Sequence, residues 1–173
     1  MRMLSFRRTA WVVCVAAAIL LSAGAAHAAA VIVALGASNT YGRGVGRSEA
    51  YPAQLEALLR AKGHNVRVVN AGINGDTTGG MMRRLGSVPK GTAVVILQPG
   101  GNDRRRGSEG DRSENIGAIE SQLQARGIRV VILENGMLHS LPHQPDGHHL
   151  TPEGYRMLAQ ALMGQVEAAL GGR

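Results

Sequence analysis

Four short segments of the chain carry groups that could do chemistry, and each adjoins an apolar run or a helical stretch. Gly36-Ala37-Ser38-Asn39-Thr40 presents a hydroxyl on a turn where a glycine permits a tight backbone. Asn70-Ala71-Gly72-Ile73-Asn74-Gly75-Asp76-Thr77 and Gly100-Gly101-Asn102-Asp103 are glycine-rich stretches bearing amides and carboxyls. Asp146-Gly147-His148-His149 sets a carboxylate three residues before an imidazole. A serine hydroxyl is a poor nucleophile until a base takes its proton, and a neutral imidazole, which titrates near pH 6.5, is such a base. A carboxylate can fix that imidazole's tautomer. The i,i+3 spacing lets one turn supply both groups, so their distance along the chain from Ser38 is no obstacle. The set is therefore equipped for attack of a serine oxygen on an electrophilic carbonyl. Taken singly, each residue also has a plain reading: Ser38 and Asn102 as turn formers, Gly75 as a left-handed turn position, Asp146 and His149 as an exposed acidic turn and a capping imidazole.

The elements that must position these groups follow from the hydrophobic pattern. Val31–Leu35, Val66–Val69, Ala93–Leu97 and Ile128–Leu133 are apolar or nearly so, as strands covered on both faces are. Between them, Pro52–Ala61 places Leu55, Leu58 and Leu59 on one helical face, and Ile116–Ala125 does the same with Ile116, Ile119 and Leu123. Thr78–Leu85 reads as a shorter helix and Thr151–Leu170 as a closing one, with Thr151 at the N-cap, Pro152 at the first helical position and Gly171-Gly172 ending it. Strands alternating with helices predict a three-layer α/β/α sandwich, a flavodoxin-like parallel sheet with right-handed crossovers. In such sheets ligands bind beyond the carboxyl ends of the strands, where the four segments fall. No repeat, low-complexity tract or linker interrupts residues 29–173.

These four blocks, in this order, resemble the SGNH (GDSL-like) hydrolases, and the resemblance covers essentially all of residues 29–173. It implies Ser38 as nucleophile and His149 as base, with Asp146, three residues before it, as the orienting acid. It also implies an oxyanion hole built from the Ser38 N–H, the Gly75 N–H and the Asn102 side-chain amide. The activity implied is cleavage of an acyl ester of the esterase, thioesterase or lysophospholipase type, without cofactor or metal. The alternatives are carbohydrate deacetylation and a non-catalytic binding domain on the same scaffold. Three features depart from the family pattern: Ala37 stands where Asp is usual, Leu150 follows the histidine where Pro is frequent, and the stretch from Asn102 to His149 is short. Ala37 implies a looser site. The short stretch implies four strands in the order 2-1-3-4, not the usual five. Gly136–Leu141 is the only remaining candidate for a fifth strand, and Pro142 follows it directly.

Other chemistries fit less well. Gly36-Ala37-Ser38-Asn39-Thr40 lacks the second glycine of G-x-S-x-G, and Gly42, Gly44 and Gly46 do not have dinucleotide-site spacing. His139, His143, His148 and His149 could hold a metal, but their spacings do not form the helical i,i+4 pair followed by a further ligand that would favour it.

The N-terminus carries Arg2, Arg7 and Arg8, an apolar run of eleven residues over Trp11–Leu21, and Ala26-His27-Ala28. A membrane-spanning helix needs roughly 20 residues, so 1–28 is expected to be a cleaved signal peptide and 29–173 a secreted or periplasmic domain without stable membrane insertion. Cleavage would remove the only Cys, Trp and Phe, which excludes thiol nucleophiles and disulfides from the remainder. The 19 basic residues would lose those three arginines and the 12 acidic ones none, taking the formal charge from +7 to +4. That modest charge, with Tyr41, Tyr51 and Tyr155 as the only remaining aromatics, argues against a nucleic-acid partner and for a small-molecule acyl ester. The cluster Arg104-Arg105-Arg106 reads first as a solvated loop face, with contact to an anionic substrate group as the alternative. Oligomeric state is left open.

Overall fold

A computed structural model describes residues 28–171; the expected signal peptide over 1–28 lies, but for Ala28, outside them. The strands are β1 (Ala30–Gly36), β2 (Val66–Gly72), β3 (Thr92–Gln98) and β4 (Arg129–Ile132). They form one parallel sheet in the order β2-β1-β3-β4. Crossovers between parallel neighbours need helices, which here are α1 (Ser38–Tyr41), α2 (Tyr51–Ala61), α3 (Thr78–Arg83), α4 (Asn102–Arg105), α5 (Arg112–Gln124), α6 (Gly136–His139) and α7 (Pro152–Gly171).

Alternation along the central strands feeds two separate cores. Ile32 and Ala34 of β1 and Val94 and Ile96 of β3 pack with Leu55 and Leu59 of α2 and Tyr155, Leu158 and Leu162 of α7. Their neighbours Val33, Leu35, Val95 and Leu97 pack on the other face with Met81 of α3 and Ile119 and Leu123 of α5. All of these side chains are essentially inaccessible to water, so β1 and β3 are covered on both sides, as their unbroken apolar runs require.

Two boundaries differ from the sequence reading by three or more residues, for identifiable reasons. β2 runs on to Gly72 because Asn70, Ala71 and Gly72 stay in register with Ala34, Leu35 and Gly36. Since β2 lies at the edge of the sheet, polar Asn70 is tolerated there. Helix α5 begins at Arg112, four residues before the first apolar position, because its opening turn is polar. Gly136–His139 forms a helical turn rather than a strand, leaving four strands in the expected order.

Helix α7 closes the fold and begins at the end of the segment that carries His149. The Thr151 hydroxyl accepts from the Gly154 N–H at 3.1 Å, satisfying one of the orphan donors at the helix start. Thr151→Ala should therefore cost about 1 kcal/mol. In urea unfolding this appears as a lower midpoint at unchanged slope; an unchanged midpoint would mean that water replaces the hydroxyl without loss.

Candidate functional site

The site is assembled at the carboxyl ends of β1, β2 and β3. Gly36 ends β1, and a side chain there would lie 2.2 Å from the Thr40 hydroxyl and 2.9 Å from Gln98. Only glycine leaves that space. Gln98, at the end of β3, fills it: its side-chain oxygen accepts from the Ala37 N–H at 3.1 Å and from the Thr40 hydroxyl at 3.2 Å. Ser38, the first residue of α1, is presented from this clamped turn.

The segment after Pro142 brings the His149 imidazole to Ser38. The Gln144 N–H donates to the His149 carbonyl at 2.7 Å and the Thr151 N–H to the Pro142 carbonyl at 3.0 Å, while His143 and Leu150 form an antiparallel bridge. Asp146 and His149 thus sit on a pinned loop. His149 Nε2 lies 2.9 Å from Ser38 Oγ, and its Nδ1 lies 2.5 Å from Asp146 Oδ2. The other Asp146 oxygen accepts the backbone N–H groups of His148 and His149, each at 2.9 Å. Because a carboxylate can only accept, Nδ1 is the protonated nitrogen and Nε2 is left to accept the Ser38 proton. The bond from the His149 ring, followed by those from the two backbone N–H groups, holds the Asp146 carboxyl well below the usual carboxylate range. Its side chain is 45 % exposed, and hydration favours the ionised form as well.

The two expected oxyanion residues lie on neighbouring loops. Asn102 opens α4, is buried, and donates one amide hydrogen to the Asp76 carbonyl at 2.8 Å, which leaves a second. Gly75, next to Asp76, has φ +74°, a conformation other residues rarely adopt. A cleft of about 450 Å³ is lined by Ser38, Asn102 and His149; Gly75 is not among its lining residues, and a Cβ there would meet the Arg106 guanidinium at 3.2 Å.

Several residues that brace this arrangement were not singled out in the sequence. Besides Gln98, Asn39 donates to the His148 carbonyl at 3.1 Å and accepts from the Tyr155 hydroxyl at 3.1 Å, joining α1, the His149 loop and α7. Burial pushes the Tyr155 phenol up to about 12, so it remains a donor. Arg84 bonds the Gly36 carbonyl at 3.0 Å, the Ala71 carbonyl at 2.8 Å and the Asp76 carboxylate at 2.8 Å, tying the ends of β1 and β2 to the loop that holds Asn102. Asp103, fully buried, accepts from the Thr78 hydroxyl at 2.5 Å and fixes α4 to α3. Asn39 and Asp103 adjoin Ser38 and Asn102, a position that could have marked them; nothing local marks Arg84. His139, His143 and His148 also face the cleft, yet among the described residues no three His, Asp or Glu side chains converge as metal ligands would.

The chain is 32 % identical over 109 residues to the esterase TesA of Pseudomonas aeruginosa, a match over 61 % of this chain and 54 % of that protein. It thus spans about half the length of that curated relative. Its fold superposes on a crystal structure of TesA with a TM-score of 0.72 at 22 % identity, covering 81 % of this chain and 99 % of the other. The SGNH-hydrolase family esterase AlinE4 gives 0.59 at 29 % identity over 83 % and 98 %. The sequence pattern of the GDSL-like lipase/acylhydrolase family matches residues 34–169, and to that family this chain belongs.

Proposed function

We propose that this chain is a secreted serine hydrolase of acyl esters that works through an acyl-enzyme on Ser38. The observation that carries the proposal is the 2.9 Å approach of His149 Nε2 to Ser38 Oγ, with Nδ1 already committed to Asp146. As Ser38 Oγ bonds to the ester carbonyl carbon, its proton passes to Nε2 and the carbonyl oxygen takes up negative charge. Asp146 stabilises the imidazolium that results. The Ser38 and Gly75 N–H groups and the free amide hydrogen of Asn102 receive the oxyanion; in other enzymes one such donor is worth about 10²- to 10³-fold. Collapse of the adduct expels the alcohol, which takes the proton from His149. Water then repeats the sequence: its proton goes to Nε2, its oxygen bonds to the acyl carbon, and the acid leaves as Ser38 recovers its hydrogen. AlinE4 and TesA bear the name esterase, which supports ester cleavage as the reaction.

The cleft favours short acyl groups. Its lining is mostly polar, with Leu138 the one large aliphatic side chain. Where an apolar groove exists, each buried CH₂ gives about 0.8 kcal/mol, so kcat/KM would rise up to roughly fourfold per carbon. No such gain is expected here. p-Nitrophenyl acetate and butyrate should be cleaved better than decanoate and palmitate, and Ser38→Ala should abolish all four activities. Equal rates for wild type and Ser38→Ala would leave a binding domain in place of the enzyme, and a steady climb from acetyl to palmitoyl would overturn the shallow cleft.

Residues 1–28 act as a signal peptide in this proposal, and 29–173 as the hydrolase domain. N-terminal sequencing of the chain expressed with its own leader should then begin at Ala29, whereas recovery of Met1 on the exported protein would show an uncleaved leader. No helix among the described residues is long and apolar enough to cross a membrane.

Asp146 is held ionised well below the usual carboxylate range, so its own protonation should not set the acid limb of kcat/KM. Removing the carboxylate's charge withdraws support from the imidazolium, so Asp146→Asn should move the limb to lower pH and reduce the plateau. A limb displaced to higher pH would show that the carboxylate is not the partner of His149.

A further inference from the structure

We infer that the cleft selects esters carrying an anionic group, a carboxylate or a phosphate, held by Arg104 and Arg105; this rests on the ester-hydrolase reading above. Both arginines line the cleft that contains Ser38, together with the imidazoles of His139, His143 and His148. No carboxylate is among the lining residues. Asp146 stands behind His149 with both oxygens engaged by the ring and by two backbone N–H groups. Asp103, the acid beside Arg104, is fully buried and engaged by Thr78. Arg104 and Arg105 make no ion pair among the described residues, whereas Arg60, Arg84 and Arg156 are each matched by a carboxylate.

Arg104 and Arg105 are both solvent-exposed, yet they line the cleft beside Ser38. They follow Asn102 by two and three residues on the short helix α4, whose start is fixed through Asp103 and through the Asn102 bond to Asp76. Guanidinium groups bind carboxylate and phosphate by paired N–H donors, and no acid lines the wall to pair with them in place of a ligand. Arg106 diverges from the pair and lies over Gly75.

The test compares three esters of similar shape: 4-acetoxybenzoate, its neutral amide 4-acetoxybenzamide, and the cationic (4-acetoxyphenyl)trimethylammonium. At low salt the wild type should favour the anion over the amide by about fivefold to tenfold in kcat/KM, a ratio that falls toward one in 1 M salt. Arg104→Gln and Arg105→Gln should each lower the ratio, and Arg104→Glu with Arg105→Glu should reverse it in favour of the cationic ester. A ratio near one in wild type, or one that survives the double charge reversal in a protein of unchanged circular dichroism, would overturn the inference.

Calorimetric binding of the benzoate and the amide to Ser38→Ala separates this inference from the reaction itself. If no ester is turned over yet the benzoate binds more tightly and loses that advantage in Ser38→Ala carrying Arg104→Gln and Arg105→Gln, the anion site stands and the hydrolase reading falls. If esters are cleaved by Ser38 but benzoate and amide bind alike, the anion site falls alone. Monophenyl glutarate, with its charge on the acyl side, added to the same titration locates the anion: the ester whose advantage those substitutions remove carries its charge on the side the arginines face.

Discussion

A single side-chain oxygen, that of Gln98, holds the turn from which Ser38 is presented. It accepts from the Ala37 N–H and the Thr40 hydroxyl, and it can reach them only because Gly36 has no side chain. Ser38 begins a helix of four residues, too short to hold its own conformation in water. Its geometry is therefore borrowed from β3 across the sheet. Arg84 performs the matching task beneath the turn, where it takes up the carbonyls that end β1 and β2 and the Asp76 carboxylate at once. A planar fork with five donors suits three acceptors in different directions, which a lysine could not span.

These ties also bear on Ala37, which stands where the family resemblance implies an aspartate. Its side chain is 2 % exposed and its N–H is held by Gln98, so the turn is anchored from the strand side. The loop bearing Gly75 and the helix bearing Asn102 are joined to each other through the Asp76 carbonyl and to α3 through Asp103. The fixed frame and the open cleft belong together: rigidity comes from polar side chains at the strand ends, leaving few apolar walls around Ser38.

Most of the fold was legible because its causes are periodic. Two-sided burial of β1 and β3 gives unbroken apolar runs, and one-sided burial of α2 gives Leu55, Leu58 and Leu59 their helical spacing. What is not periodic was missed or misplaced: the end of β2 at a polar edge, the polar first turn of α5, and the short helix α4 immediately after the glycines. Ser38, Asn102, Asp146 and His149 were visible because each stands in a short segment of distinctive composition. Gln98 and Arg84 were not, since a glutamine ending a strand and an arginine ending a helix look like many others. Their importance lies in long-range contacts, 61 residues away for Gln98 to Ala37 and 48 for Arg84 to Gly36.

The bond between Ser38 and His149 spans 111 residues, and the loop that brings His149 back is fastened to α7 by Thr151 and, through Asn39, to Tyr155. Helix α7 is the last element among the described residues, and its buried face rests on α2 and the sheet. The Ser38 hydroxyl therefore has the His149 imidazole beside it only when the loop and the helix that anchors it are both in place. Completion of the pair is tied to docking of α7, and the two residues depend on the closed fold as a whole rather than on the strand-end turn alone.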